Sequence, residues 1–133
     1  MIKIKKFPWI VLLLMLPVIF SGCSASEVIR VGTPVNGMEA IKFDKENEIK
    51  DTKSIEALRA IISEVREIEE PKDLDSQPDT FFSLDRPKEG IAEMWLYVYY
   101  QDDGSSILYN NGANLYFALS EEQTNELRSI LKQ

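Results

Sequence analysis

The chain has no histidine and a single cysteine, Cys23, among its 133 residues. Without histidine it lacks the commonest general base and the commonest transition-metal ligand. With one thiol it can form no internal disulfide, no Cys–His nucleophile pair and no thiolate metal cluster. It also lacks a basic excess: 15 Lys and Arg stand against 22 Asp and Glu, a net charge of −7. That balance excludes the basic footprint that nucleic-acid binding requires. The apolar stretch Ile10 to Phe20 is only 11 residues and is interrupted by Pro17, whereas about 20 are needed to span roughly 30 Å of hydrocarbon as a helix. Internal repeats and low-complexity segments are absent too.

What is present begins with that short apolar stretch. Lys3, Lys5 and Lys6 precede it as a positive n-region, which makes it the h-region of a secretory signal. Phe20-Ser21-Gly22-Cys23 follows and resembles a bacterial lipobox, with Phe20 where leucine is usual. The resemblance implies that the Cys23 thiol receives a diacylglyceryl group and that the chain is cut just before it. A cysteine placed by chance after an ordinary signal, or an uncleaved anchor, are the competing readings. The basic n-region and the lone cysteine in the lipobox position favour lipidation. Two acyl chains hold a protein stably on a bilayer, each buried methylene contributing about 0.8 kcal/mol.

The expected organisation is therefore a signal peptide over residues 1–22, a lipidated cysteine with a short tether over 23–27, and one domain over 28–133. The expected location is the extracytoplasmic face of the cell membrane. Cutting before Cys23 leaves 12 basic and 22 acidic residues, a charge of −10. Such a domain is repelled by anionic lipid rather than lying on it.

Val28–Val31 reads as a strand stopped by Gly32 and Pro34, and Met38–Phe43 as a second, closed by the charged turn Asp44–Asn47. Lys53–Glu70 carries Ile55, Leu58, Ile61, Ile62, Val65 and Ile68 at helical spacing. It predicts one long helix, capped by Asp51 or Thr52 and stopped by Pro71. Asp73, Asp75 and Asp79 in the next loop lack the glycine and distal glutamate of a calcium loop, so they read as solvated acids. No metal or other cofactor is expected.

Thr80–Asp85 predicts a strand, and Ile91–Tyr100 the longest one. In strict alternation Ala92, Met94, Leu96 and Val98 share one face, and Trp95, Tyr97 and Tyr99 the other. Asp103-Gly104 suits a two-residue hairpin turn, which pairs Tyr100 with Ile107, Tyr99 with Leu108 and Val98 with Tyr109, in a strand over Ser105–Tyr109. The turn at Asn110–Asn114 leaves two registers open. The longer loop is preferred: it sets Leu115 and Phe117 with Leu96 and Val98, and Tyr116 beside Leu108. Ser120-Glu121-Glu122-Gln123 opens a last helix as a capping box, with Leu127, Ile130 and Leu131 inward. The order predicts a two-layer α+β domain: an antiparallel β-meander packed by two helices on one face, the opposite face partly open.

From Phe43 to the C-terminus the chain resembles the YhfM-like small lipoproteins of bacilli. The resemblance rests on the helix after Phe43-Asp44, Pro78-Asp79 with Phe81 and Phe82, Trp95-Leu96, Gly104–Ile107, and Tyr116 with Leu119-Ser120. It implies fold and location and brings no catalytic residues.

Function follows from the surface rather than from a motif. Trp95, Tyr97, Tyr99 and Tyr116 form a candidate binding face, because aromatics with polar tips can stack on a cell-wall glycan or anchor an envelope protein. The alternative is that they are ordinary cross-strand pairs of about 0.2–1 kcal/mol each, or that the N-terminal strands cover them. The favoured reading is a non-catalytic binding module at the cell envelope. Next comes a tethered accessory or inhibitor of an envelope enzyme or sensor, its negative surface steering a basic partner. A carboxylate-dependent hydrolase ranks last, since the acids fall in turns and loops while acid–base work needs buried, tuned carboxyls.

Overall fold

The computed structural model describes residues 27–133; the signal segment, Cys23 and the tether up to Ser26 lie outside the described residues. The chain forms β1 (Val28–Val35), β2 (Ala40–Phe43), a 3-10 turn (Lys45–Asn47), α1 (Thr52–Ser63), β3 (Arg66–Ile68), β4 (Thr80–Arg86), β5 (Ile91–Tyr100), β6 (Ser106–Asn110), β7 (Leu115–Leu119) and α2 (Glu121–Leu131). The strands make one antiparallel sheet in the order β2-β1-β4-β5-β6-β7-β3. It is an α+β fold of two layers, with both helices on one face. Among the described residues no helix is long and apolar enough to cross a membrane.

The core lies between sheet and helices. Ile55, Leu58 and Ile61 of α1 and Leu127 and Leu131 of α2 meet Phe82, Leu84, Leu96, Val98 and Leu108 of the sheet. Asp51 caps α1 by accepting from the Ser54 N–H at 2.9 Å. The Ser120–Gln123 capping box is formed at α2, with Glu121 and Glu122 in its first turn. Where the sheet meets α2, the buried hydroxyls of Ser106 and Thr124 satisfy one another at 2.8 Å.

Five expectations are corrected. The long helix ends at Ser63, not Glu70: Glu64 leaves helical geometry at φ −111°, ψ 6°. Arg66–Ile68 then pairs with β7, Ile68 opposite Tyr116. β-Branched Val65 and Ile68 suit an extended chain at least as well as a helix, and the free edge of β7 supplies the backbone bonds. The first strand likewise continues through Gly32 and Pro34. Beyond Gly32 it no longer pairs with β4, and on that side the Gln77 side-chain amide donates to the Pro34 carbonyl (2.9 Å) while its oxygen accepts from the Gly37 N–H (2.7 Å).

The other three concern faces. The first hairpin loop is one residue longer than expected: Gln101 pairs with Ser105 around Asp102-Asp103-Gly104, with Gly104 at φ +91°. This three-residue loop ends in a left-handed glycine. Val98 therefore faces Leu108, and Tyr97 faces Tyr109. The next loop is also one residue longer than preferred, pairing Leu108 with Phe117 and Tyr109 with Tyr116. The two slips cancel for β7, so Phe117 still packs toward the core while Leu108 and Tyr109 exchange faces. Finally, β5 does not alternate throughout. Asp85 pairs with Ala92 but Leu84 with Met94, a bulge at Glu93. Ala92 joins the Trp95 face, and Glu93 turns toward the helix side.

Candidate functional site

Among the described residues no helix covers the outer face of the sheet, and its two ends differ. Toward the middle, Phe81, Tyr97 and Tyr99 form a second apolar cluster, each only 4% exposed, against which Ile41, Leu74, Ile107 and Tyr109 pack. Phe81 lies edge-on to both Tyr97 (5.2 Å between centroids) and Phe43 (5.9 Å). Burial raises the phenol pKa of Tyr97, and pushes that of Tyr99 up to about 12. Tyr116 is half-buried and stacks on Tyr109 at 4.4 Å. Of the four aromatics picked out from the sequence, Tyr97 and Tyr99 are thus floor rather than surface, and Tyr116 is half of a stacked pair.

Trp95 alone stands clear, at 42% exposure, and Phe43 is its exposed counterpart at 44%. Between them opens a concavity of about 350 Å³, floored by Phe81, Tyr97 and Ser83 and edged by Ile41, Asp85 and Asn111. Volumes of this order lie at the lower end of small-molecule sites, about 300–1,000 Å³. The indole is held rather than loose. Its Nε1 donates to Asn111 Oδ1 at 3.0 Å. A Cβ at Gly112 would stand 3.1 Å from its Cζ2, so the glycine lets the β6–β7 turn close against the ring edge. An aromatic face fixed in this way loses little entropy on binding.

Apart from Asn111, the polar groups of the hollow lie on its β1–β4 side. Arg30 Nε lies 3.4 Å from both Asp85 Oδ2 and Glu48 Oε2, within ion-pair range but without hydrogen-bond geometry. Ser83, opposite Arg30 on one side and Trp95 on the other, has a buried Oγ with no hydrogen-bond partner among the described residues. The sequence flagged Trp95 and the Asn-Gly turn but not Ser83, Asp85 or Phe43. Their convergence depends on β1 and β2 folding back beside β4, which no local pattern announces.

A second polar group lies on the helix side, where β1 begins. The bulge at Glu93 aims its carboxylate at Arg59 (2.8 Å) and Arg86 (2.6 Å), and both arginines also pair with Glu27. Hydrogen bonding, to Glu93 first and then Glu27, raises the Arg59 pKa. The Arg59 guanidinium holds Glu93 below the usual carboxylate range. These carboxylates are structural partners of arginines. Among the described residues no group of three or more His, Cys, Asp or Glu is placed to hold a metal ion.

No family model matches the chain, and no curated protein matches it. Among solved structures, it is similar to a thioesterase-like protein from Clostridium sporogenes, with a TM-score of 0.56 and 21% identity over 77% of this chain and 91% of that one. That likeness shows a shared α+β fold.

Proposed function

We propose that this chain is a lipid-anchored, extracytoplasmic binding module of the YhfM-like kind, and that it works through the Trp95 concavity. The observation that carries the reading is an exposed indole locked by Asn111 and Gly112 over an apolar hollow. Exposed large aromatics in preformed concave sites are the usual anchors of recognition. The ion cluster fixes which end of the sheet an anchor on Cys23 would hold. Glu27 is four residues after Cys23 and is gripped by Arg59 and Arg86. A lipid on Cys23 would hold that end of the sheet within about 14 Å of extended chain from the bilayer, at most 3.6 Å per residue. The β4–β5 and β6–β7 turns share that end, so the Trp95 hollow would open near the membrane.

Two experiments test this. Cys23→Ser should release the protein from the membrane fraction; retention of that variant removes the lipid anchor from the account. A photoreactive residue in place of Trp95, with Glu56 on the solvent side of α1 as control, should give a discrete adduct in intact cells from position 95 alone. A tethered accessory or inhibitor remains the second reading, favoured if the adduct is an envelope enzyme or sensor. The hydrolase reading draws on the thioesterase-like neighbour. Against it, Asp85 is the one carboxylate lining the hollow, whereas paired acid–base catalysis needs two carboxyls with separated pKa values. Thioester or ester turnover that is lost in Asp85→Asn would favour the hydrolase.

A further inference from the structure

The charges of this domain are sorted along the strand axis. At the end away from Glu27, the loop before β4 and the β5–β6 turn bring Asp73, Asp75, Asp79 and Asp102 around one concavity. None of these acids forms an ion pair among the described residues. At the Glu27 end the acids are matched: Glu27 and Glu93 pair with Arg59 and Arg86, and Glu48 and Asp85 lie at Arg30. Lys50 and Lys88 add positive charge beside the start of β1. The β6–β7 turn at this end is exposed, so burial does not explain its lack of charge; no charged residue occurs from Ser105 to Ser120.

Exposed apolar groups stand beside that neutral turn. Ile91, 51% exposed, opens β5 next to the β4–β5 turn, and Trp95 lies against Gly112. Trp95 shares a rung of the sheet with Ser83 and Arg30, two residues along from Val28. It is therefore about 7 Å from the start of β1, at about 3.4 Å per residue. The indole N–H, the one polar group of the ring, is taken by Asn111. The whole side chain can thus leave water without stranding a donor. Tryptophan is enriched at the lipid–water interface, where a ring of this kind sits at headgroup level.

We infer that the partner of the Trp95 corner is the bilayer surface itself. Trp95, Ile91 and the neutral β6–β7 turn rest among headgroups and upper acyl chains, and the acidic end points outward. The inference rests on the lipid-anchored reading and names the partner of its surface. Four residues separate Cys23 from Glu27, a tether of at most about 14 Å. Such a tether makes the contact intramolecular, so a weak apolar contact is enough. An acidic domain is repelled by anionic lipid, and with its unpaired acids gathered at the far end this orientation meets the least repulsion. A protein partner would use Trp95 equally well, but would leave the short tether and the sorting of charge without a role.

The test uses the full chain, purified from membranes and reconstituted in vesicles, carrying Trp9→Phe so that Trp95 is its sole tryptophan. The vesicles are equal parts phosphatidylcholine and phosphatidylglycerol, with the phosphatidylcholine brominated in the upper part of its chains. Bromine quenches an indole that touches it. Trp95 should lose emission relative to unbrominated vesicles. A Trp95→Phe, Met38→Trp chain, whose reporter stands exposed at the far end of β1, should keep it. Ala113→Glu, which puts a negative charge in the neutral turn, should shift the corner about fivefold toward its lifted state and weaken quenching. That effect should be smaller in vesicles of phosphatidylcholine alone. Equal quenching at positions 95 and 38, or none at 95 in a chain that floats with the vesicles, overturns the inference and leaves the anchor standing. A chain that does not float removes the anchored reading and this one together. Photo-crosslinking in intact cells should give position 95 a phospholipid adduct; a protein adduct with an unquenched Trp95 assigns the corner to that protein instead.

Discussion

The two faces of this sheet are built from neighbouring residues of the same strands and have opposite properties. On the helix face Phe82, Leu84, Val98 and Leu108 are fully buried under α1 and α2. One residue away along β4 and β5, Ser83 and Trp95 lie on a hollow that no element among the described residues fills. The helix face is aliphatic and complete, whereas the outer face is aromatic, covered in its middle by Ile41 and Leu74 and open at one corner. The contrast teaches that burial of the outer aromatics is partial by construction. Among the described residues, loop and edge-strand side chains reach Tyr97 and Tyr99, but none buries Trp95.

The sharpest way to break this contrast is to truncate one large side chain on each face. Phe82→Ala should cost about 3–5 kcal/mol in urea unfolding, and Trp95→Ala less than about 1 kcal/mol, as at exposed sites. Equal losses would mean that the outer corner is core after all. Next in size is an effect of alkaline pH on the covered part of the outer face. Tyr99 titrates near 12 in the fold against an ordinary 10.0, so between those values the unfolded chain has lost its proton and the folded one has not. Stability is therefore full below about pH 10 and falls as pH rises toward 12, by about 1.4 kcal/mol per unit. Tyr99→Phe should flatten that slope, and an unchanged slope would place Tyr99 in solvent.

A smaller effect is expected at the ion cluster. Arg59→Met should lower stability by about 0.5–1 kcal/mol at neutral pH, the pairs being partly exposed. That difference should shrink in high salt. Because Glu93 is held below its ordinary range, the cluster's stabilisation is present at neutral pH and is lost as pH falls through that lowered value. The smallest effect on stability is expected from Gly112→Ala, a few tenths of a kcal/mol at a surface turn. Its readout is different: a Cβ pressing on Trp95 Cζ2 should free the indole and lower its fluorescence anisotropy.

Much of this fold is legible in the sequence because periodicity is local. The α1 stripe, the Ser120 capping box and the aliphatic alternation from Met94 to Val98 each follow from residues within a turn or two of one another. The misreadings occur where the deciding contact is distant. Val65 and Ile68 leave the helix because β7 has a free edge, which no window around Pro71 contains. Glu93 bulges toward Arg59, 34 residues away. The hairpin loops differ from expectation by one residue each, since Asp103-Gly104 serves a two- or a three-residue loop equally well and strand period two turns that ambiguity into an exchange of faces. The same limit applies to the site. Trp95 could be singled out from the sequence, but the wall facing it, its lock and its polar neighbours come from β2, the β6–β7 turn and β4.

The most direct test of the central claim compares two tryptophan reporters in the Trp9→Phe chain: the native Trp95, and a Trp95→Phe, Tyr97→Trp pair of substitutions. The account predicts red-shifted, readily acrylamide-quenched emission with high anisotropy from position 95, and blue-shifted, protected emission from position 97. Blue-shifted and protected emission from position 95 would show the corner closed and would remove the binding surface.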